Sequence, residues 1–309
     1  MDYIRTSRRG FKSRYLLLIM SIGLLAACKR TVDNNDQDAL SVESEILSPA
    51  EQNYTDAKLA YEMEPEIPEN LIWYGRRAAY LGKYDKAIEL YTKGIEEFPE
   101  DPRFLRHRGH RYITTRQFDK AIADLSKAGK MIQGKENSIE PDGLPNARNI
   151  PVSSLHGNIW YHLGLAHYLQ HDYQKAFEAY VKCRESGSHP DNIVSSTHWL
   201  YMIQRRLGDK EKAKAVLGPI SPGADIIENF SYYKLCQFYK GDLPLDSVQG
   251  TAGSPSSDAM KYGLGNWYFY NGDKEKAKKI WDEILAGKAE SSFGFIAAES
   301  DLAEYFANE

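Results

Sequence analysis

Cysteine is scarce in this chain, with three in 309 residues, too few for a disulfide framework. Long apolar runs are scarcer still: one exists, near the N-terminus, which excludes a multi-span membrane protein. Neither sign of charge dominates. Lys and Arg number 39 against 43 Asp and Glu, a net charge of −4, and an acidic balance is a poor basis for sequence-independent nucleic-acid binding. The glycine-rich phosphate loops G-x-G-x-x-G and G-x-x-x-x-G-K-[ST] are absent, as is the nucleophile turn G-x-S-x-G. What is present is a hydrophobic fraction of 42%, enough for a core, and an excess of tyrosine: 21, against 11 Phe and 5 Trp.

The first segment reads as an address. Residues 1–15 carry Arg5, Arg8, Arg9, Lys12 and Arg14 against the single acid Asp2. An apolar stretch of 12 residues, 16–27, follows and ends at Cys28. That is short for a hydrocarbon core of about 30 Å but suits the apolar region of an export signal. Leu25-Ala26-Ala27-Cys28 resembles a bacterial lipobox, which implies that Cys28 carries lipid and becomes the mature N-terminus. Ser7-Arg8-Arg9-Gly10-Phe11 resembles a twin-arginine export signal, while the strongly apolar run suits the general secretory route, so both routes stay open. Residues 28–50 are polar and acidic, a flexible tether. Lys29 stands where an aspartate resembles an inner-membrane retention signal. The expected location is therefore the bacterial cell envelope, lipid-anchored, with the outer membrane favoured. Removing residues 1–27 leaves 34 bases and 42 acids, a mature net charge of −8.

The remainder repeats. Gly82-Lys83-Tyr84-Asp85-Lys86-Ala87 returns with variation at 116–121, 171–176, 208–213 and 272–277. The alanines, at 87, 121, 176, 213 and 277, are spaced by 34, 55, 37 and 64 residues. The 55 is one period plus an insertion of 21, and the 64 is two units of 32, with Lys240-Gly241-Asp242 marking the intermediate turn. Twelve positions before the alanine stand Gly75, Gly109, Gly164 and Gly265, with Tyr201 departing in the fourth unit. Four positions after it stand Tyr91, Leu125, Tyr180, Leu217 and Trp281. Small residues let paired helices cross closely, and bulky ones fill the groove between them.

This pattern resembles tetratricopeptide repeats, whose period is 34. The resemblance covers about 69–285. It implies an all-α fold over 51–309, a right-handed superhelical solenoid of about six helix pairs. A leading helix at 52–66 and a closing helix at 292–307 would cap the exposed ends. It is strong for fold and nearly silent for chemistry. Two loops interrupt the period. The loop at 133–155 contains Pro141, Pro145 and Pro151, which forbid helix, and its varied composition favours a segment packed on the groove. The loop at 250–257 is rich in Gly and Ser and reads as a connector.

Few side chains suggest chemistry. His167 and His171 share a helix face at metal-ligand spacing, but no Glu adjoins the first, so groove and turn histidines are the simpler reading. Cys183 and Cys236 read as packing thiols. The resemblance implies that the first helix of each pair lines the concave face. Projected onto this chain, that face carries Arg76, Tyr80, Arg103, Arg106, His110, Asn158, Tyr161, Tyr168, His198, Arg205, Arg206, Tyr262, Asn266 and Tyr270. Acids are nearly absent from that set. Arg forks hold carboxylates bidentately, and Tyr supplies apolar area with a polar tip. Two readings of it stay open: a groove for an acidic or carboxylate-ended protein segment, or arginines and tyrosines spent on packing between repeats. The expectation is a lipid-anchored scaffold that binds a protein or peptide segment, with no catalytic residue, metal, cofactor or nucleic acid. The alternatives are a structural subunit of an envelope assembly and a glycan or small-ligand receptor.

Overall fold

The computed structural model describes residues 47–249 and 254–307. They belong to one unit, Leu47–Glu309. The segment read as an export signal, Cys28, nearly all of the expected tether and part of the 250–257 loop lie outside the described residues. Thirteen α-helices follow in order among the described residues. They are α1 (Pro49–Met63), α2 (Pro68–Tyr80), α3 (Tyr84–Glu97), α4 (Pro102–Thr114), α5 (Phe118–Met131), α6 (Leu155–Leu169) and α7 (Tyr173–Glu185). Then come α8 (Pro190–Arg206), α9 (Lys210–Val216), α10 (Phe230–Lys240), α11 (Pro255–Tyr270), α12 (Lys274–Leu285) and α13 (Phe293–Tyr305). No strand occurs among the described residues, only the isolated bridge between Ile139 and Ser154.

The boundaries are written in local chemistry. α1, α2, α4, α8 and α11 begin with proline in the first turn, where the missing N–H costs nothing. Ser48, Asp101, Ser154, Asp172, Asp209, Asp273 and Ser292 cap orphan amides with their side chains. Successive helices pack on one another, so the array is an α-solenoid of helix pairs: α2–α3, α4–α5, α6–α7, α8–α9 and α11–α12. The intermediate unit has its turn at Gly241, but Pro244 follows and only a 3-10 turn, Leu245–Val248, forms where a second helix was expected. The about six expected units are therefore five complete pairs and one reduced unit.

The repeating small and bulky positions meet as the spacing predicts. All five alanines are fully buried. Gly75 faces Tyr91, Gly109 faces Leu125, Gly164 faces Tyr180 and Gly265 faces Trp281, each so closely that a Cβ would overlap the opposing side chain. The fourth pair escapes because α9 is only seven residues long, and Tyr201 stacks instead on Tyr239 with ring centroids 4.2 Å apart.

α1 begins three residues before its expected start, and α13 matches the expected closing helix. α13 does more than cover the last pair, since it packs on α11 and α12 and also reaches α6.

A direct test uses Gly164. Helix propensity alone makes Gly164→Ala stabilising by about 1 kcal/mol. The added carbon would lie 2.6 Å from the Tyr180 ring, itself buried against Trp199. Urea unfolding should show a net loss of about 1–3 kcal/mol, and a gain in stability would refute the close-packing argument.

Candidate functional site

The projected concave face divides into a filled half and an open half. In the filled half, Asp301 of α13 is fully buried at the centre. Arg206 Nη2 donates to one carboxylate oxygen at 2.5 Å, and Tyr262 OH donates to the same oxygen at 2.8 Å. His171 Nε2 lies 3.2 Å from the other oxygen. Arg206 Nε also donates to Asn266 Oδ1 at 2.7 Å, and Asn266 Nδ2 donates to Tyr168 OH at 2.6 Å. Tyr168 and Tyr262 share a hydroxyl contact of 2.7 Å. The Arg206 guanidinium sits over the Phe269 ring at 4.1 Å. Burial and the neighbouring carboxylate push the tyrosine hydroxyls of this network far above their ordinary range. Arg206, Tyr168, Tyr262 and Asn266, expected to face a ligand, are therefore spent on holding α13. The reason is that a single-repeat projection contains no helix folding back onto the concave face.

Two turns serve the same closure. Arg116 and His171 occupy the turn position that is glycine in other units, at φ 60° and 59°, a conformation costing an L-residue about 1–2 kcal/mol. Both reach α13 or its approach. Arg116 Nε donates to Glu299 at 2.7 Å and Nη2 to the Glu290 carbonyl at 2.9 Å, while His171 meets Asp301. The contacts explain why glycine is not used there.

The other outlying positions are likewise occupied. His198 is buried between stacked Tyr232 and Tyr239 with no partner for either ring nitrogen, and burial lowers its pKa to about 3. Arg205 lies over Tyr270 at 4.3 Å and donates to Asn271 at 2.7 Å. Arg103 is paired with Asp101 and Glu69. Cys183 and Cys236 are free and buried, and burial pushes the Cys183 thiol up to about 12, where it stays protonated. No group of three or more His, Cys, Asp or Glu in metal-binding array occurs among the described residues.

The open half is a cavity of about 640 Å³ over α2, α4 and α6. Five of the projected residues line it: Arg76, Arg106, His110, Asn158 and Tyr161. Tyr80 stands beside it, with its hydroxyl against Gly143 of the 133–155 loop. That loop is packed onto the helices, as its composition suggests. Arg106 Nη2 meets Glu140 Oε2 at 2.7 Å, Asn158 also donates to Glu140, and Arg77 Nη1 donates to the Gly143 carbonyl at 3.0 Å. Farther along, Asn146 donates to Glu228 at 2.7 Å, and Arg148 pairs with Asp225 at 2.6 Å.

The cavity's far wall depends on Asp191 of α8. Its buried carboxylate accepts from the backbone amides of Ile227, Glu228 and Asn229 at 2.7–2.9 Å. This fixes Glu228, Asn229 and Tyr232 at the cavity. Glu140, Asp142, Glu228, Asn229, Tyr232, His162 and Phe293 are lining residues that repeat projection missed. Their acids come from loops outside the period. Only the prolines of 133–155 hinted at a contributing loop.

Electrostatics are uneven. His107, His110 and His162 are neutral, because burial and then the adjacent arginines hold their pKa values well below the ordinary range. Burial raises Asp142 and Glu228 above the usual carboxylate range. Arg76 lies over the Trp73 ring at 4.3 Å with a long contact of 3.4 Å to Tyr80, and has no carboxylate within ion-pair distance among the described residues. The cavity thus presents one unpaired guanidinium, three amides and three carboxyls between aromatic walls.

Fold and site can now be set beside known proteins. Family models described as tetratricopeptide repeat match residues 75–130 and 258–286, which carry three of the repeat alanines read from the period, Ala87, Ala121 and Ala277. Among curated proteins, BBSome complex member BBS4 of Bos taurus is 26% identical over 203 residues, 62% of this chain and 34% of that protein. Heat-shock protein cognate co-chaperone sgt12 of Aspergillus fumigatus is 30% identical over 108 residues, 35% of this chain and 26% of that protein. The chain spans about a third or less of the length of these relatives. Among solved structures, a tetratricopeptide repeat protein from Parabacteroides merdae aligns over 81% of this chain and 92% of its own, at 15% identity and a TM-score of 0.49.

The buried neutral histidines make a pH prediction. In the unfolded chain each takes up a proton near pH 6.5, while in the fold it does so only at lower pH, so the unfolded state binds more protons in between. Stability should therefore be full above about pH 6.5 and fall as the pH drops, by at most about 1.4 kcal/mol per unit for each such histidine. Urea titrations at pH 7 and pH 5 check this. His198→Phe, which keeps the ring stack, should lessen the fall, and an unchanged slope would contradict the assignment.

Proposed function

We propose that this chain is an exported, lipid-anchored helical scaffold that captures a protein or peptide segment in the cavity over α2, α4 and α6. The anchor is Cys28, and the site is the cell envelope, with the outer membrane favoured by Lys29. The observation that carries the proposal is the division of the concave face. One half is closed by the chain's own α13, while the other keeps an open cavity with the unpaired Arg76 at its edge. An acidic side chain or a terminal carboxylate on the segment would pair with Arg76. Asn158 and Asn229 would satisfy the peptide backbone, and Tyr161 and Tyr232 would supply low-entropy contact area. The exposed Leu144, 76% accessible at the cavity wall, adds an apolar contact.

A second reading is a glycan or small-ligand receptor. A cavity of about 640 Å³ with amides, carboxyls and tyrosines on its walls favours it, since small-ligand sites run to about 300–1,000 Å³. Removing the captured segment from a partner separates the two: capture is lost in the first reading and unaffected in the second.

Two outcomes are expected in cells. Arg76→Glu should reduce partner recovery by crosslinking about tenfold, the equivalent of a lost charge-assisted contact, and recovery equal to wild type would overturn the groove assignment. Cys28→Ala should abolish incorporation of labelled fatty acid and release the protein from the membrane fraction, and undiminished labelling would overturn the anchor.

A further inference from the structure

Four arginines crowd the concave side of the first two helix pairs: Arg76 and Arg77 on α2, Arg106 and Arg111 on α4. The charges of Arg76, Arg106 and Arg111 all bear on Tyr91 and His107. Among the described residues, the only carboxylate within ion-pair distance of any of the four is Glu140. It belongs to no helix; it lies on the 133–155 loop.

The loop meets this surface as an extended segment would. Its base is pinned by Glu140 N–H to the Ser153 carbonyl at 2.9 Å and Leu155 N–H to the Ser138 carbonyl at 2.9 Å. Glu140 then drops into the concave face against Arg106 and Asn158, with 8% of its surface accessible. Asp142 stands where the Arg76 charge offsets part of its burial. The Gly143 carbonyl accepts from Arg77, and its bare Cα lies against Tyr80, which leaves no room for a Cβ. Four of the residues read from the sequence as ligand contacts, Arg76, Tyr80, Arg106 and Asn158, thus touch or face Glu140-Pro141-Asp142-Gly143.

The fit is incomplete. Arg106 Nε and Glu140 Oε1 are both buried without a hydrogen-bond partner, so the fork and the carboxylate meet through one pair of atoms rather than two. A buried polar atom left unpaired favours any occupant that pairs it.

We infer that residues 140–143 are an internal ligand: the α2–α4 surface recognises an extended segment with acids two residues apart, and an external segment of that kind competes with the loop for Arg106 and Arg77. The inference rests on the reading of the cavity as a segment-binding site and adds the chemistry of the segment and its built-in competitor. Self-occupancy lowers apparent affinity by the fraction of time the surface is vacant.

The test uses the full chain and a fluorescent peptide of residues 138–146, Ser-Ile-Glu-Pro-Asp-Gly-Leu-Pro-Asn. Fluorescence anisotropy should show that the variant Glu140→Gln/Asp142→Asn binds it about tenfold or more tightly than wild type. Adding Arg106→Met to that variant should abolish binding. A folded double variant that binds no peptide, or that binds the Gln/Asn version equally well, would overturn the inference. Should the double variant fail to fold, hydrogen exchange on the wild-type chain decides: saturating peptide should deprotect the amides of 140 and 155, and unchanged protection with peptide bound would refute competition. The outcome is independent of partner recovery in cells. Peptide binding without a recovered partner would sink the scaffold proposal alone, and a recovered partner without peptide competition would sink this one alone.

Discussion

A single buried carboxylate organises the concave side of this molecule. Asp301 enters from α13 and engages Arg206 of α8 and Tyr262 of α11, with His171 of the third turn beside it. A buried ion pair is not by itself a source of net stability, because desolvation offsets much of the attraction. Its consequence is specificity: removing either partner leaves an uncompensated charge in the interior, so α13 has one place to sit. That placement closes the array over its later pairs and leaves the earlier pairs open. Arg116 and His171 accept left-handed backbone to reach the same helix, which shows how much of the chain is committed to this closure.

The fold was legible because it repeats. Alanine at one fixed position and glycine twelve residues earlier recur with an aromatic or leucine four residues later, and a helix crossing this tight admits little else. Even the departures could be read: Tyr201 marks the irregular fourth pair, and the prolines at 141, 145 and 151 mark a loop packed on the helices. The reduced fifth unit was less visible, because its turn at Gly241 is regular and only Pro244 betrays the missing helix.

The site was legible in part, for a reason that follows from periodicity. Projection along one repeat places residues relative to their own helix pair. The five projected residues Arg76, Arg106, His110, Asn158 and Tyr161 do line one surface. Projection says nothing about segments outside the period, and those segments decide the chemistry. α13 consumes Arg206, Tyr168, Tyr262 and Asn266, whereas Glu140 and Asp142 arrive on an insertion and Glu228 on the approach to α10. The near absence of acids among the projected residues was a property of the repeat; the assembled cavity contains three. The tyrosine excess divides the same way: Tyr91 and Tyr180 pack between helices, Tyr168 and Tyr262 carry the buried network, and Tyr161 and Tyr232 remain at the cavity.

The division of the concave face into a closed and an open half is most directly tested by site-specific photocrosslinking in intact cells. A photoreactive residue at Leu144, exposed at the cavity wall, should crosslink a bound segment, whereas the same residue at Tyr270, held under Arg205, should not. Crosslinks from Tyr270 and none from Leu144 would place binding in the half closed by α13 and contradict the assignment.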